Sequence, residues 1–108
     1  MRPLLDDSIP ARLKRALVNH RVRTAVEMGW LGVKNGELLA LASADFDAFV
    51  TVDKNLPYQQ NLKALPIAVA VLETASNELH FLLPLMPELA RRLAALVPRT
   101  CLRIGTPS

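Results

Sequence analysis

The chain is poor in the residues that mark exported, disulfide-rich or membrane proteins. Its 108 residues include one cysteine, four glycines and two histidines. A lone cysteine, Cys101, excludes an internal disulfide and is typical of a small core residue in a cytoplasmic protein. No apolar segment of the kind that directs export follows Arg2, and runs such as PIAVAVL are too short to cross a membrane. We therefore expect one cytoplasmic domain, residues 1–108, without membrane contact.

Acidic residues are missing from one stretch near the amino terminus, between Asp7 and Glu27. The cations of this stretch are Arg12, Lys14, Arg15, Arg21 and Arg23. Such a patch attracts a phosphate backbone, although a solvated helix face has the same composition. The candidate contacts for a nucleic acid are Arg12, Lys14 and Arg15, together with Lys54 and Tyr58 further along the chain.

Short apolar runs alternate with segments of helical periodicity. Strands are predicted at residues 2–6, 21–25, 47–53, 66–73 and 100–104. Helices are predicted at 7–20, where Asp7 or Ser8 would form the cap, at 37–46, and at 77–97, where Pro84 and Pro87 can break the helix. This alternation predicts an α/β fold with a mainly parallel central sheet of four to five strands.

Three acids are predicted to meet at one edge of that sheet. Asp6 ends the first strand, Asp53 ends the third, and Glu37 begins a helix, so all three lie where α/β folds bind ligands. Asp7 and Asn55 are their neighbours in the sequence. Carboxylates gathered in this way repel one another unless a cation joins them. A set of oxygen ligands suits Mg²⁺ or Mn²⁺.

Each of these acids also has a structural interpretation. Asp6 or Asp7 can cap the following helix, and Glu37 can complement a helix dipole. Asp53 can close an Asx-turn. The functional interpretation depends on the three acids occurring together.

Three segments resemble a known family. LLDDSIPARL, VRTAVEMGWLGVKNGELLALA and FDAFVTVDKNLPYQQNL are similar to segments of small bacterial PIN-like domain proteins, the short relatives of VapC-type toxins. The resemblance runs from Arg2 to about Ile104. It implies a three-layer PIN-like fold, with helices on both faces of the sheet.

The same resemblance implies an Mg²⁺- or Mn²⁺-dependent ribonuclease. Asp6, Glu37 and Asp53 match the family's catalytic acids and would hold the metal, helped by Asp7. Asn55 stands where the family has a fourth acid, and its amide oxygen can coordinate without adding charge. The implied substrate is RNA, the implied partner is a small antitoxin, and a homodimer is compatible with the family.

Two other functions remain open at this stage. Because Asn55 replaces an acid, the protein could be a weak or inactive PIN-like module that binds RNA or a partner. The acidic pair after the first strand, the VDKNLP segment and Thr74 also resemble a receiver domain with a phosphoacceptor aspartate. Receivers carry a lysine at the end of the last strand, and TCLRIG has none.

Overall fold

The described residues form one sheet of five parallel strands. In a computed structural model, which describes residues 2–17, 20–54, 56 and 67–105, the strand order is β2-β1-β3-β4-β5, and each neighbouring pair is parallel. The strands are β1 (Pro3–Leu5), β2 (Arg23–Thr24), β3 (Ala48–Thr51), β4 (Ala68–Glu73) and β5 (Cys101–Gly105). The α/β class and the parallel sheet are confirmed.

The central strands form where the sequence is continuously apolar. β3 (AFVT) is buried throughout, and β4 (AVAVLE) is buried up to its last residue. A strand buried along its whole length has both faces covered, which explains why these runs do not alternate with polar residues. The edge strand β5 alternates instead, and within it Ile104 is buried. Cys101, expected in the core, is exposed there.

The helix predicted at residues 7–20 is wrong in type and extent. A 3-10 helix covers Ala11–Ala16, with Pro10 at its N-cap. Neither Asp7 nor Ser8 caps it, because Pro10 is extended (φ −57°, ψ 132°) and separates both residues from the first turn. The next helix is close to its prediction: α1 spans Asn35–Asp45, with Lys34 at its N-cap.

The predicted long helix at 77–97 is divided near its middle, as its prolines indicated. α2 covers Leu79–Leu82, a 3-10 turn covers Leu83–Leu85, and α3 covers Met86–Leu93. Pro84 lies inside the 3-10 turn, where its missing N–H interrupts the α-helical ladder. Pro87 lies in the first turn of α3, where no backbone donor is needed.

Side chains alternate between two hydrophobic clusters because successive strand residues point to opposite faces. One cluster combines Leu5, Val50 and Leu72 with apolar residues of the first 3-10 helix, α2 and α3. The other combines Leu4, Phe49, Val69 and Val71 with Leu38, Leu39 and Ala42 of α1. In the part of the chain that is described, no helix is both long and apolar enough to cross a bilayer.

Phe49 provides a test of the second cluster. Its side chain is fully buried, so Phe49→Ala should lower the free energy of unfolding by about 3–5 kcal/mol. Leu31, which is 68% exposed, is the control, and Leu31→Ala should change stability by less than about 0.5 kcal/mol. Urea unfolding followed by circular dichroism measures both. Equal losses would contradict the assignment of Phe49 to the core.

Candidate functional site

The strand order places a switch point at the carboxyl end of β1. The chain moves from β1 to β2 on one side and later to β3 on the other, so the crossovers diverge there and leave a crevice beyond the strand ends. Asp6 directly follows β1, and Thr51 is the last residue of β3. Asp53 follows two residues later. The structure thus places Asp6 and Asp53 after the strands that the sequence predicted, and it shows that these two strands are neighbours.

Asp6 is a buried carboxylate with several hydrogen-bond donors. Only 1% of the surface of Asp6 is exposed. Oδ1 accepts from the backbone N–H of Ser8 at 3.0 Å and from the Ser8 hydroxyl at 2.6 Å, while Oδ2 accepts from the Thr51 hydroxyl. The backbone N–H of Asp6 donates to the Val50 carbonyl at 3.0 Å. Asp6 therefore connects the turn after β1 to the end of β3.

Burial raises the pKa of Asp6 above its usual value, because the charged form loses its hydration. The hydrogen bonds from Ser8 and Thr51 oppose this rise, and the nearby negative charge of Asp7 adds to it. The net effect is a carboxyl group that accepts a proton more readily than an exposed aspartate. A cation at this position would favour the ionised form.

Thr51, which is not among the predicted site residues, links the side chain of Asp6 to the backbone of Asp53. Its buried hydroxyl donates to Asp6 and accepts from the backbone N–H of Asp53 at 3.0 Å. The Asp53 carbonyl accepts from the N–H of Leu56 at 3.3 Å, which starts the next turn. A hydroxyl inside the apolar run FVTVD was the available signal, since a buried polar group needs a partner.

Within the described residues, the other predicted acids make no hydrogen bond to Asp6 or Thr51. Asp7 is exposed and accepts from the backbone N–H of Gly32 at 3.4 Å, which brings the loop after β2 to the same edge. Gly32 has a φ of 84°, a conformation that favours glycine. Glu37 is exposed in the first turn of α1, and within the described residues no hydrogen bond or ion pair joins it to Asp6. Asn55 and Tyr58 lie outside the described residues.

The donor chemistry at this edge fits a hard divalent cation, although not a closed cage of acids. In the described ranges, no group of three or more His, Cys, Asp or Glu side chains is placed to hold a metal ion. A carboxylate has about four acceptor positions, and three of those of Asp6 are used by Ser8 and Thr51. Mg²⁺ commonly takes only one or two carboxylates, with waters and substrate phosphates completing its shell. Asp6 and Asp53 are the two carboxylates that would hold such an ion at this edge.

A cleft of about 350 Å³ lies beside these residues, at the carboxyl ends of β3, β4 and β5. Its lining residues are Lys54, Glu73, Thr74, Ala75 and Gly105. The Thr74 hydroxyl is buried, and it has no hydrogen-bond partner within the described residues. Lys54 directly follows Asp53 and brings a positive charge to this cleft.

The predicted basic patch is not uniformly available for RNA. Lys14 Nζ lies 2.7 Å from Glu27 Oε1, and this contact is the main reason why the pKa of Glu27 is lowered. Glu27 is held in turn by Thr24, whose N–H donates to Oε1 at 3.0 Å. Arg12 and Arg15 are exposed, without an ion pair to any described residue. These two arginines remain the better candidates for a phosphate contact.

Comparison with known proteins adds no relative. No family model matches the chain, and no match was found among curated proteins or solved structures.

Asp6 gives a prediction on pH dependence. Because burial raises the pKa of Asp6 in the folded state above its usual value of 3.8, the folded state keeps a proton that the unfolded chain has already lost. The contribution of Asp6 is complete below pH 3.8 and decreases as the pH rises through the folded pKa. Asp6→Asn removes this titration, so its stability should fall less than that of the wild type over that interval. Urea unfolding across a pH series measures the difference, and parallel profiles would contradict it.

Asp6→Ala tests the structural role of the same residue. This change leaves the Thr51 hydroxyl and the donors of Ser8 without their acceptor, at a cost of about 1–3 kcal/mol for a buried group left unpaired. Asp6→Asn should cost less, because its carbonyl oxygen still accepts from Ser8 and its amide can donate to Thr51. Equal stability of the alanine variant and the wild type would show that the buried bonds contribute nothing.

Proposed function

We propose that the chain is a small PIN-like protein that cleaves RNA with the help of Mg²⁺ or Mn²⁺, acting in the cytoplasm as the toxin of a toxin–antitoxin pair. The observation that carries the proposal is the buried Asp6 at the switch point, joined through Thr51 to the backbone of Asp53. The two hydrophobic clusters support the three-layer arrangement, since each combines strand residues with residues of different helices.

A buried acid at a ligand-binding edge needs a reason. Burying a carboxylate costs free energy unless it is paired, and Asp6 is supplied with donors that hold it in one orientation. A cation bound at Asp6 would stabilise the ionised carboxylate, which burial alone disfavours. A divalent cation bound at Asp6 and Asp53 would lower the pKa of a water and stabilise the leaving oxygen of a phosphodiester.

The residues of the chain then have separate roles. Asp6 and Asp53 hold the cation, Asp7 adds negative charge at the rim, and Glu37 orients the attacking water from the first turn of α1. Asn55 is the proposed uncharged ligand. Lys54, in the neighbouring cleft, would position a phosphate of the RNA.

Asp53→Asn tests the proposal. It removes one ligand charge, so Mn²⁺ binding measured by calorimetry should be lost, and RNA cleavage should fall by about 100-fold or more. Asp47→Asn is the matched control: Asp47 precedes the same strand at the opposite edge, and an asparagine oxygen can still accept from the backbone N–H of Arg2. Full cleavage by the Asp53 variant would overturn the assignment.

A non-catalytic module is the second candidate, because an asparagine stands in place of a fourth acid. Such a protein would bind RNA or an antitoxin partner without cutting. The same samples separate the two functions: RNA binding without Mn²⁺ binding or cleavage would favour the module. The molecular mass of the protein in solution, measured alone, would test the proposed homodimer. The same measurement after mixing with a candidate antitoxin would test that partner.

A receiver-like phosphoacceptor is the third candidate, favoured by the strand order. The order β2-β1-β3-β4-β5 is a common doubly wound order and the one that receiver domains have, and Thr74 follows β4 as in receivers. Against it, β5 reads CLRIG and carries Arg103 instead of a lysine. An acyl-phosphate on Asp53 after incubation with a small phosphodonor would support this function, and its absence would exclude it.

A further inference from the structure

A second cleft lies at the other end of the sheet. It has a volume of about 320 Å³ and is lined by Arg2, Arg21, Arg23, Met28, Asp45 and Phe46. Arg2 directly precedes β1, and Asp45 ends α1, which places the cleft near the amino ends of the strands. Three residues separate Arg2 from Asp6, so the two lie four residue steps apart, or about 13 Å of extended chain. The cleft is therefore distinct from the acidic edge.

Positive charge is in excess in this cleft. Three guanidinium groups face a single lining carboxylate, that of Asp45. Two of these arginines form ion pairs with acids that do not line the cleft, and both pairs are long. Arg2 Nε lies 3.9 Å from Asp47, and Arg23 Nη1 lies 3.9 Å from Glu27. All of these side chains are substantially exposed, so the pairs neutralise little charge.

Arg21 is the least neutralised of the three. It is exposed, and it makes no ion pair with any residue in the described ranges. Glu27, the nearest acid in sequence, has its shortest contact with Lys14 at 2.7 Å. A guanidinium group presents a planar fork of donors that matches a phosphate group. Arg21 can therefore offer this fork to a ligand.

The remaining walls of the cleft are apolar. Phe46 is 8% exposed and lies edge-to-face on Trp30, with ring centroids 6.3 Å apart, so its position is fixed by the core. Met28 packs against the same cluster. Arginines beside a fixed apolar wall suit a ligand that joins a phosphate to an uncharged group, as a nucleotide unit does.

We propose that this arginine cleft binds a phosphate group presented by single-stranded RNA, as a second contact remote from the acidic edge. The choice of RNA as the source rests on the proposed function. The site itself does not need cleavage, because it would hold phosphate whether or not Asp6 and Asp53 bind a metal.

The test measures RNA affinity without cleavage. Fluorescence anisotropy with a short single-stranded RNA, in EDTA and over a salt series, compares the wild type with Arg21→Gln. We expect a loss of affinity of about threefold to tenfold, and a slope of log affinity against log salt that is smaller by about 0.7, the value for one phosphate contact on a single strand. Arg91→Gln is the matched control, since Arg91 is an exposed arginine in α3 and its loss changes the net charge equally.

Asp45→Asn tests the same cleft in the opposite direction. It removes the lining carboxylate and should raise RNA affinity, whereas a general loss of structure would lower it. Equal affinities and salt slopes for Arg21→Gln and Arg91→Gln, with no gain for Asp45→Asn, would overturn the proposal.

Inorganic phosphate and a nucleoside monophosphate, titrated separately, distinguish the source of the phosphate. Binding of either that depends on Arg21, with RNA affinity independent of Arg21, would overturn RNA as the ligand. Loss of RNA affinity in Arg21→Gln, in a protein that never cleaves RNA, would support the cleft while contradicting the nuclease.

Discussion

The structure depends on keeping a carboxylate inside the protein. Asp6 follows a strand that has parallel neighbours on both sides, and it is 1% exposed. It is tolerated because Ser8 and Thr51 supply hydrogen bonds. Those bonds fix the turn after β1 and connect it to the end of β3. The Thr51 hydroxyl also accepts a hydrogen bond from the backbone N–H of Asp53, so the same hydrogen bonds position Asp53.

The bonds that make this burial tolerable also limit the chemistry of the site. With three acceptor positions of Asp6 used, about one remains for a cation, so Asp6 can serve as a ligand through a single oxygen. A site of this kind binds a metal weakly until a substrate phosphate joins the shell. If the proposed nuclease is correct, RNA and metal would therefore bind cooperatively.

The sequence predicts the strands better than the helices and the site. β3 and β4 were predictable because continuous apolar runs of this length form buried strands. The helix at 7–20 was not, because the extended Pro10 shortens it to a 3-10 helix, and periodicity does not distinguish the two. Asp6 was predicted as a site residue from its place after β1. Its burial and its link to Thr51 depend on the pairing of β1 with β3, which single-sequence patterns do not reveal.

The carboxyl and amino ends of the strands, here called the two edges, differ in charge. The direction of α1 accounts for part of this difference. α1 begins at the carboxyl edge, where its positive dipole end favours Glu37 and the other acids, and ends at the amino edge, where its negative end favours arginines. Asp45 is the exception, an acid in the last turn of α1, and it lines the same cleft as three arginines. A cleft that already contains a carboxylate would hold phosphate less tightly than arginines alone. Weak binding at this second contact would suit the proposed nuclease, because a product strand held firmly at the amino ends of the strands would leave the acidic site slowly.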